Sequence, residues 1–284
     1  MVRISICAIG ALLTISLAPQ RDPVNPDPNQ PREIEALDTV FVEEMTWLEV
    51  RDSMKAGTDT VIIATGGIEQ NGPYVATGKH NYVLRGTTEA IARKLGNAMV
   101  APIVAFVPEG NFNPPDMHMK YPGTISVSED TFRALLADIC MSFKTHGFKH
   151  IVLIGDSGGN QDGMKYVAET LNAAWKDDAA NVSRIDYIPE YFNFPEVSEF
   201  LEKNGIQQTP EGWHDDFGMT ATIMAVDQEA VRTRQRIKAD KFSINGIDLA
   251  PVSKTVAWGK KIIDFRAEKA VAGILRARKM AQID

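Results

Sequence analysis

Two hydrophobic rhythms alternate along the chain. Short, β-branched apolar runs read as buried strands: TVIIA at 60–64, HIVLI at 150–154 and RIDYI at 184–188. MVAPIVAFV at 99–107 reads as another, broken at Pro102. Between them the spacing becomes helical. Thr87 to Leu95 is one such stretch. Phe132, Leu135, Leu136, Ile139 and Phe143 mark a second, which Ser126 and Glu129 open as a capping box and Gly147 stops. Met164, Val167, Leu171 and Trp175 mark one face of a third. Ser253 is placed to cap a long last helix carrying Val256, Ile262, Ile263, Val271, Ile274 and Leu275. This order predicts an α/β fold, a mainly parallel sheet flanked by helices on both faces. In such sheets the working groups sit in loops beyond the carboxyl ends of the strands. Here those loops are roughly 65–82, 108–124, 155–160 and 189–216.

The beginning of the chain follows neither rhythm. Residues 1–18, MVRISICAIGALLTISLA, carry one charge, Arg3, ahead of an apolar run, and are expected to be a signal peptide. The run is shorter than the ~20 residues of a membrane span, so no span is expected after signal removal. Residues 19–38 are a proline-rich extended leader, and 39–284 a single α/β domain. The protein is therefore expected in the periplasm or outside the cell, or in the cytoplasm if the segment is not a signal.

Composition narrows the partners. Apolar residues at 44% and charged residues at 24% fit a globular domain. With 30 basic and 37 acidic residues the net charge is −7, which disfavours nucleic acid. Cys7 and Cys140 are the two cysteines, so no disulfide framework is expected.

The loops hold the candidate chemistry. ATGGIEQNGPYVATGKHN follows the first strand and brings Glu69 and His80 into one polar turn. In the second loop His118 has Asp116 as its nearest orienting partner. The third, GDSGGN, contains G-x-S-x-G at Gly155, Ser157 and Gly159, in the strand–turn–helix setting of a nucleophile elbow. Asp186 and His214 follow in the chain order a serine triad needs. The alternative is a glycine-rich turn whose N–H groups hold an anion or a carbonyl oxygen. In the fourth loop His214, Asp215 and Asp216 form a compact acid–imidazole cluster suited to proton transfer or metal binding, with Asp216 also placed to cap a helix.

Taken in order, these stretches resemble the creatininase family over nearly all of 40–280. Glu69-Gln70-Asn71-Gly72-Pro73 to His80 is similar to the family's E-Q-H-G-P-H-L-P-L-G-T-D. Met117-His118 to Thr124 resembles its E-H-x-x-F-P-G-T, Ile151 to Asn160 its I-V-L-V-N-G-H-G-G-N, and His214 to Ala221 its H-A-G-E-x-E-T-S. The resemblance implies a creatininase-like α/β fold, two divalent ions (Zn or Mn), hydrolysis of small cyclic or linear amides, and homo-oligomers, commonly hexamers. Several ligand positions depart from the pattern. Glu69 is kept, but Asn71 and Ser157 replace ligand histidines, His80 replaces the bridging aspartate, and Gly159, Phe217 and Met219 replace glutamates. A two-metal site is therefore not expected. The reading is a hydrolase of a small amide with one divalent ion on Glu69, His80, Asp215 and Asp216. Its catalytic groups would be His214, Ser157 and Asp156, and its substrate contacts Asn71, His118, Gly158, Gly159 and Asn160. The alternatives are a metal-free small-ligand binder, a catalytically degenerate member, and a serine hydrolase using Ser157.

Overall fold

The computed structural model describes residues 24–179, 182–208 and 214–280. The expected signal segment 1–18 lies outside the described residues. The chain divides into two compact units, Met1–Glu35 and Ala36–Asp284. In the first, Gln30 N donates to Asp27 O at 3.1 Å, closing a turn among exposed residues.

The second unit carries the elements in this order: α1 (Trp47–Lys55), β1 (Thr60–Thr65), α2 (Lys79–Leu95), β2 (Ala98–Val100), α3 (Glu129–Thr145), β3 (His150–Gly155), α4 (Gln161–Trp175), β4 (Arg184–Tyr187), α5 (Phe194–Lys203), α6 (Phe217–Val226), α7 (Thr233–Lys238), β5 (Ser243–Ile244), β6 (Ile247–Asp248) and α8 (Val252–Met280). β1 to β4 form one parallel sheet in the order β2-β1-β3-β4, with Thr60 opposite Ala98 on one side and His150 on the other. β5 and β6 make a separate antiparallel pair.

Side chains alternate across a strand, and here both faces are covered. Val61 and Ile63 of β1, with Ile151 and Leu153 of β3, pack against Phe132, Leu136 and Cys140 of α3 and Met164 and Val167 of α4. Ile62, Ala64, Val152 and Ile154 face the other way, onto Leu84 and Ile91 of α2 and Ala267, Ala270 and Ile274 of α8. This is why the strands read as unbroken apolar runs, and it is the α/β arrangement expected from the sequence.

The boundaries differ in four places. The strand expected at 99–107 stops at Val100. Pro102 has no N–H to give a ladder, and Val104 pairs with Thr65 only as an isolated bridge. α2 starts at Lys79 rather than Thr87. Ser128, not Ser126, caps α3, accepting from Thr131 N. Ser126 instead accepts from Glu109 N at 2.9 Å and donates to Gly110 O at 2.9 Å. The last helix begins at Val252, which puts Ser253 inside its first turn rather than at its cap.

Candidate active site

All four loops leave the carboxyl ends of the strands and meet over one end of the sheet. The β1 loop is fixed by its backbone. Asn160, just before α4, donates to the carbonyls of Thr65 at 3.1 Å and Gly66 at 2.8 Å. Asn71 donates to Glu69 O at 2.9 Å and Ala76 O at 3.2 Å, and Glu69 N donates to Thr77 O at 2.9 Å. A Cβ at Gly67 would stand 2.1 Å from Glu109 Oε1, so glycine there is what lets Glu109 close on the loop. Glu69 itself is 1% exposed.

A chain of charges runs through this end of the fold. Arg266 of α8, stacked 4.3 Å over the Tyr191 ring, donates to Asp156 Oδ1 at 2.6 Å. Asp156 Oδ2 is 2.7 Å from His80 Nδ1, and His80 Nε2 is 2.8 Å from Glu69 Oε1. An ionised carboxylate only accepts, so His80 serves two carboxylates by donating from both nitrogens, as an imidazolium. Burial and the Lys79 charge oppose that form, but Asp156 and Glu69 overcome them and raise its pKa. Burial likewise opposes ionisation of Glu69, yet hydrogen bonds from His214 and His80 and the charges of His80 and Lys79 hold it well below the usual carboxylate range. Asp156 is also held low, because Arg266 and His80 outweigh its burial.

Glu69 gathers three more cation-capable groups. Lys79 Nζ is 3.2 Å from Oε1, His214 Nε2 is 3.1 Å from Oε1, and His118 Nε2 is 3.2 Å from Oε2. The His118 and His214 rings lie 4.8 Å apart. Burial lowers the His118 pKa, and its buried Nδ1 has no hydrogen-bond partner. His214 has a left-handed backbone, φ 64°, a conformation that costs a non-glycine residue of order 1 kcal/mol or more. Glu109 faces the same centre. Burial and the Glu69 charge push its carboxyl up to about 9, so it is a neutral acid at pH 7, with Oε1 unpartnered.

These groups border a cavity of about 750 Å³, walled by Ser157, Gly158 and Gly159 on one side and by Phe192, Phe194 and Met219 on another. Of the residues expected from sequence, Glu69, His80, His118, Asp156, Ser157, Gly158, Gly159, His214, Asp215 and Asp216 all border it. Asn71 and Asn160 are buried and hold backbone carbonyls instead. Asp215 accepts from Thr220 Oγ1 at 2.9 Å and Asp216 N at 2.8 Å, and burial pushes it up to about 7. Asp216 caps α6 through Met219 N at 2.7 Å. The acid expected to complete a serine triad, Asp186, pairs with Arg184 at 3.0 Å and lies 3.8 Å from His150, at the amino end of β3. Asp116 holds Asn111 at 2.6 Å rather than orienting His118.

Three participants are not evident from the sequence pattern: Lys79, Glu109 and Arg266. Lys79 sits beside His80, and Glu109 lies in the same loop as His118. Arg266 has a signal of its own, because it falls on the stripe Ile262, Arg266, Ala270, Ile274 that α8 buries.

One set of donors at this centre suits a metal ion. Carboxylate and imidazole ligand atoms of Glu69, His118 and His214 lie within 4.8 Å of one another, a set suited to tetrahedral zinc with a position to spare. Among the described residues a second ion finds no comparable set. His80 has both nitrogens committed to carboxylates, and the Asn71 amide is turned to the backbone. Ser157 and Gly159 supply neither imidazole nor carboxylate. The Lys79 ammonium also stands inside this shell. Unit charges 4 Å apart at an effective dielectric near 20 interact by about 4 kcal/mol, and a dication doubles that.

Comparison with known proteins gives the same architecture. The creatininase family model, described as creatinine amidohydrolase, matches residues 43–276. The 3-dehydro-scyllo-inosose hydrolase of Thermotoga maritima is 28% identical over 119 residues, 42% of this chain and 36% of that protein. The creatinine amidohydrolase of Pseudomonas putida is 24% identical over 144 residues, 49% of this chain and 52% of that protein. The match thus spans between a third and about half of the length of these curated relatives. A crystal structure of creatinine amidohydrolase superposes with a TM-score of 0.55 at 19% identity, covering 87% of this chain and 98% of that one. A manganese form of creatininase gives a TM-score of 0.51 at 19% identity, over 86% and 97%. At such identities the superpositions speak for the fold, while the family model spans most of the chain: this protein belongs to the creatininase family.

Proposed function

We propose that this protein is a hydrolase of a small cyclic or linear amide, working with one divalent ion held by Glu69, His118 and His214. One observation carries the reading. Two imidazoles and a carboxylate from three separate loops converge on one point of a cavity of about 750 Å³. That volume is within the range of small-molecule sites. The family's name and the hydrolase names of both curated relatives support the reaction class. Solved creatininases described as zinc and manganese forms support the choice of ion. An ion there would supply Lewis-acid polarisation of a carbonyl.

The chain's own groups do the rest. His118 and His214 would turn a ring nitrogen from Glu69 to the ion, and the unpartnered Nδ1 of His118 could carry that ring's proton in the other tautomer. Glu109, a neutral acid at the cavity wall, would be the proton donor to a leaving nitrogen. The Gly158-Gly159 turn presents backbone to a substrate, and Phe192, Phe194 and Met219 keep that side of the cavity apolar. The His80–Asp156–Arg266 chain orients Glu69. Ser157 borders the cavity, but Asp186 is committed to Arg184, and this favours the ion-dependent reading over a serine triad.

The test is metal content together with turnover of a panel of small amides, lactams and creatinine-like rings. Wild-type protein prepared with zinc or manganese should carry about one ion per chain, and Glu69→Gln should lose both ion and turnover. Turnover that survives Glu69→Gln and chelation would overturn the reading.

A further inference from the structure

We propose that Lys79 is a resident cation that any divalent ion must displace from Glu69, and that it thereby sets how tightly this site holds the ion. This rests on the one-ion reading of the site. Lys79 is the first residue of α2, so the helix fixes its backbone against the β1 loop. Its side chain is 3% exposed, and its ammonium lies 3.2 Å from Glu69 Oε1. Its other partner is the carbonyl of His214, at 3.1 Å. The ammonium therefore clasps the carboxylate and also the backbone of one of the two imidazoles.

The crowding at Oε1 makes this a competition. That oxygen already faces His80 at 2.8 Å, His214 at 3.1 Å and Lys79 at 3.2 Å. A carboxylate oxygen has two lone pairs. An ion that takes one of them removes a donor, and the two donors not held from behind are the His214 ring and the Lys79 ammonium. His80 stays, because Asp156 holds its other nitrogen at 2.7 Å. A His214 nitrogen turned from Glu69 to the ion becomes a ligand, whereas a retained Lys79 leaves a positive charge beside the ion. The same ammonium keeps Glu69 and the His214 backbone assembled before any ion arrives.

The experiment is zinc titration of the full chain at fixed pH and ionic strength, in competition with a chromophoric chelator. Wild type is compared with Lys79→Met and Lys79→Arg, with folding checked by circular dichroism. The proposal expects zinc binding at least tenfold tighter in Lys79→Met and close to wild type in Lys79→Arg. A merely structural lysine would loosen the site when removed, not tighten it. If Lys79→Met does not fold, Lys79→Gln is read by the same criterion. Zinc bound by the neutral variant but not by wild type would uphold the role of Lys79 and overturn the one-ion reading of the native protein. Equal or weaker binding in the folded neutral variant, with wild type binding one ion, would overturn the proposal and leave that reading standing. No binding by either protein would overturn both.

Discussion

Five side chains with a proton or a positive charge to offer surround one carboxylate and its neighbour: His80, His118, His214 and Lys79 at Glu69, and Arg266 behind Asp156. Buried ions of this kind are held by their partners, and removing one partner is costly because the other stays buried and uncompensated. Arg266→Met should therefore destabilise the protein by about 3–5 kcal/mol in urea unfolding. The double variant Arg266→Met, Asp156→Asn should recover part of that loss, and a double variant no more stable than Arg266→Met would count against the pair. Acid adds a second check. Arg266 and His80 hold Asp156 below its ordinary value against the effect of burial. A depressed native pKa contributes stability that is present above the unfolded value near 3.9 and lost as pH falls through the native one. Wild type should lose stability below about pH 4 more steeply than Asp156→Asn, and parallel slopes would contradict the assignment. At this scale the sequence is partly legible. Glu69, His118 and His214 stand in polar loops after strands, where chemistry is expected. Their true neighbours are not legible, because a contact such as Asp156 to Arg266 joins residues 110 apart.

The elements that carry these residues obey close packing. α6 is apolar on every side because it is wedged among α2, α5 and α8. A Cβ on Gly259 of α8 would stand 1.9 Å from the carbonyl oxygen of Ala221 in α6, a clash with backbone that no rotamer relieves. Gly259→Ala should cost about 2–3 kcal/mol or more, outweighing the roughly 1 kcal/mol that alanine gains over glycine in an open helix. A denaturation midpoint equal to or above wild type would show that the helices do not meet this closely. Periodicity finds α3 and α4, whose buried faces are plainly apolar. It misses the first two turns of α2, because Lys79 and His80 are buried there for their charges rather than their hydrophobicity. The part of the helix that lines the cavity is the part that breaks its pattern. The strand at 99–107 fails for a different reason: Pro102 is recognisable as a breaker, but apolar residues continue past it to cover α3.

For the whole molecule, the parallel sheet decides where the candidate site is. Every crossover returns to the same end, so loops separated by more than a hundred residues converge beyond the carboxyl ends of β1 and β3. That logic, and the family pattern spread over four loops, are legible in the amino-acid sequence. The choice among imidazoles is not. Position in the family motif points to His80, while the folded geometry commits His80 to two carboxylates and turns His118 and His214 toward the two oxygens of Glu69. Zinc-edge anomalous diffraction from zinc-soaked crystals tests this most directly. A single peak is expected, about 2.0–2.2 Å from a Glu69 oxygen and from Nε2 of both His118 and His214. Two peaks, or one peak coordinated by His80, Asp215 or Asp216, would contradict it.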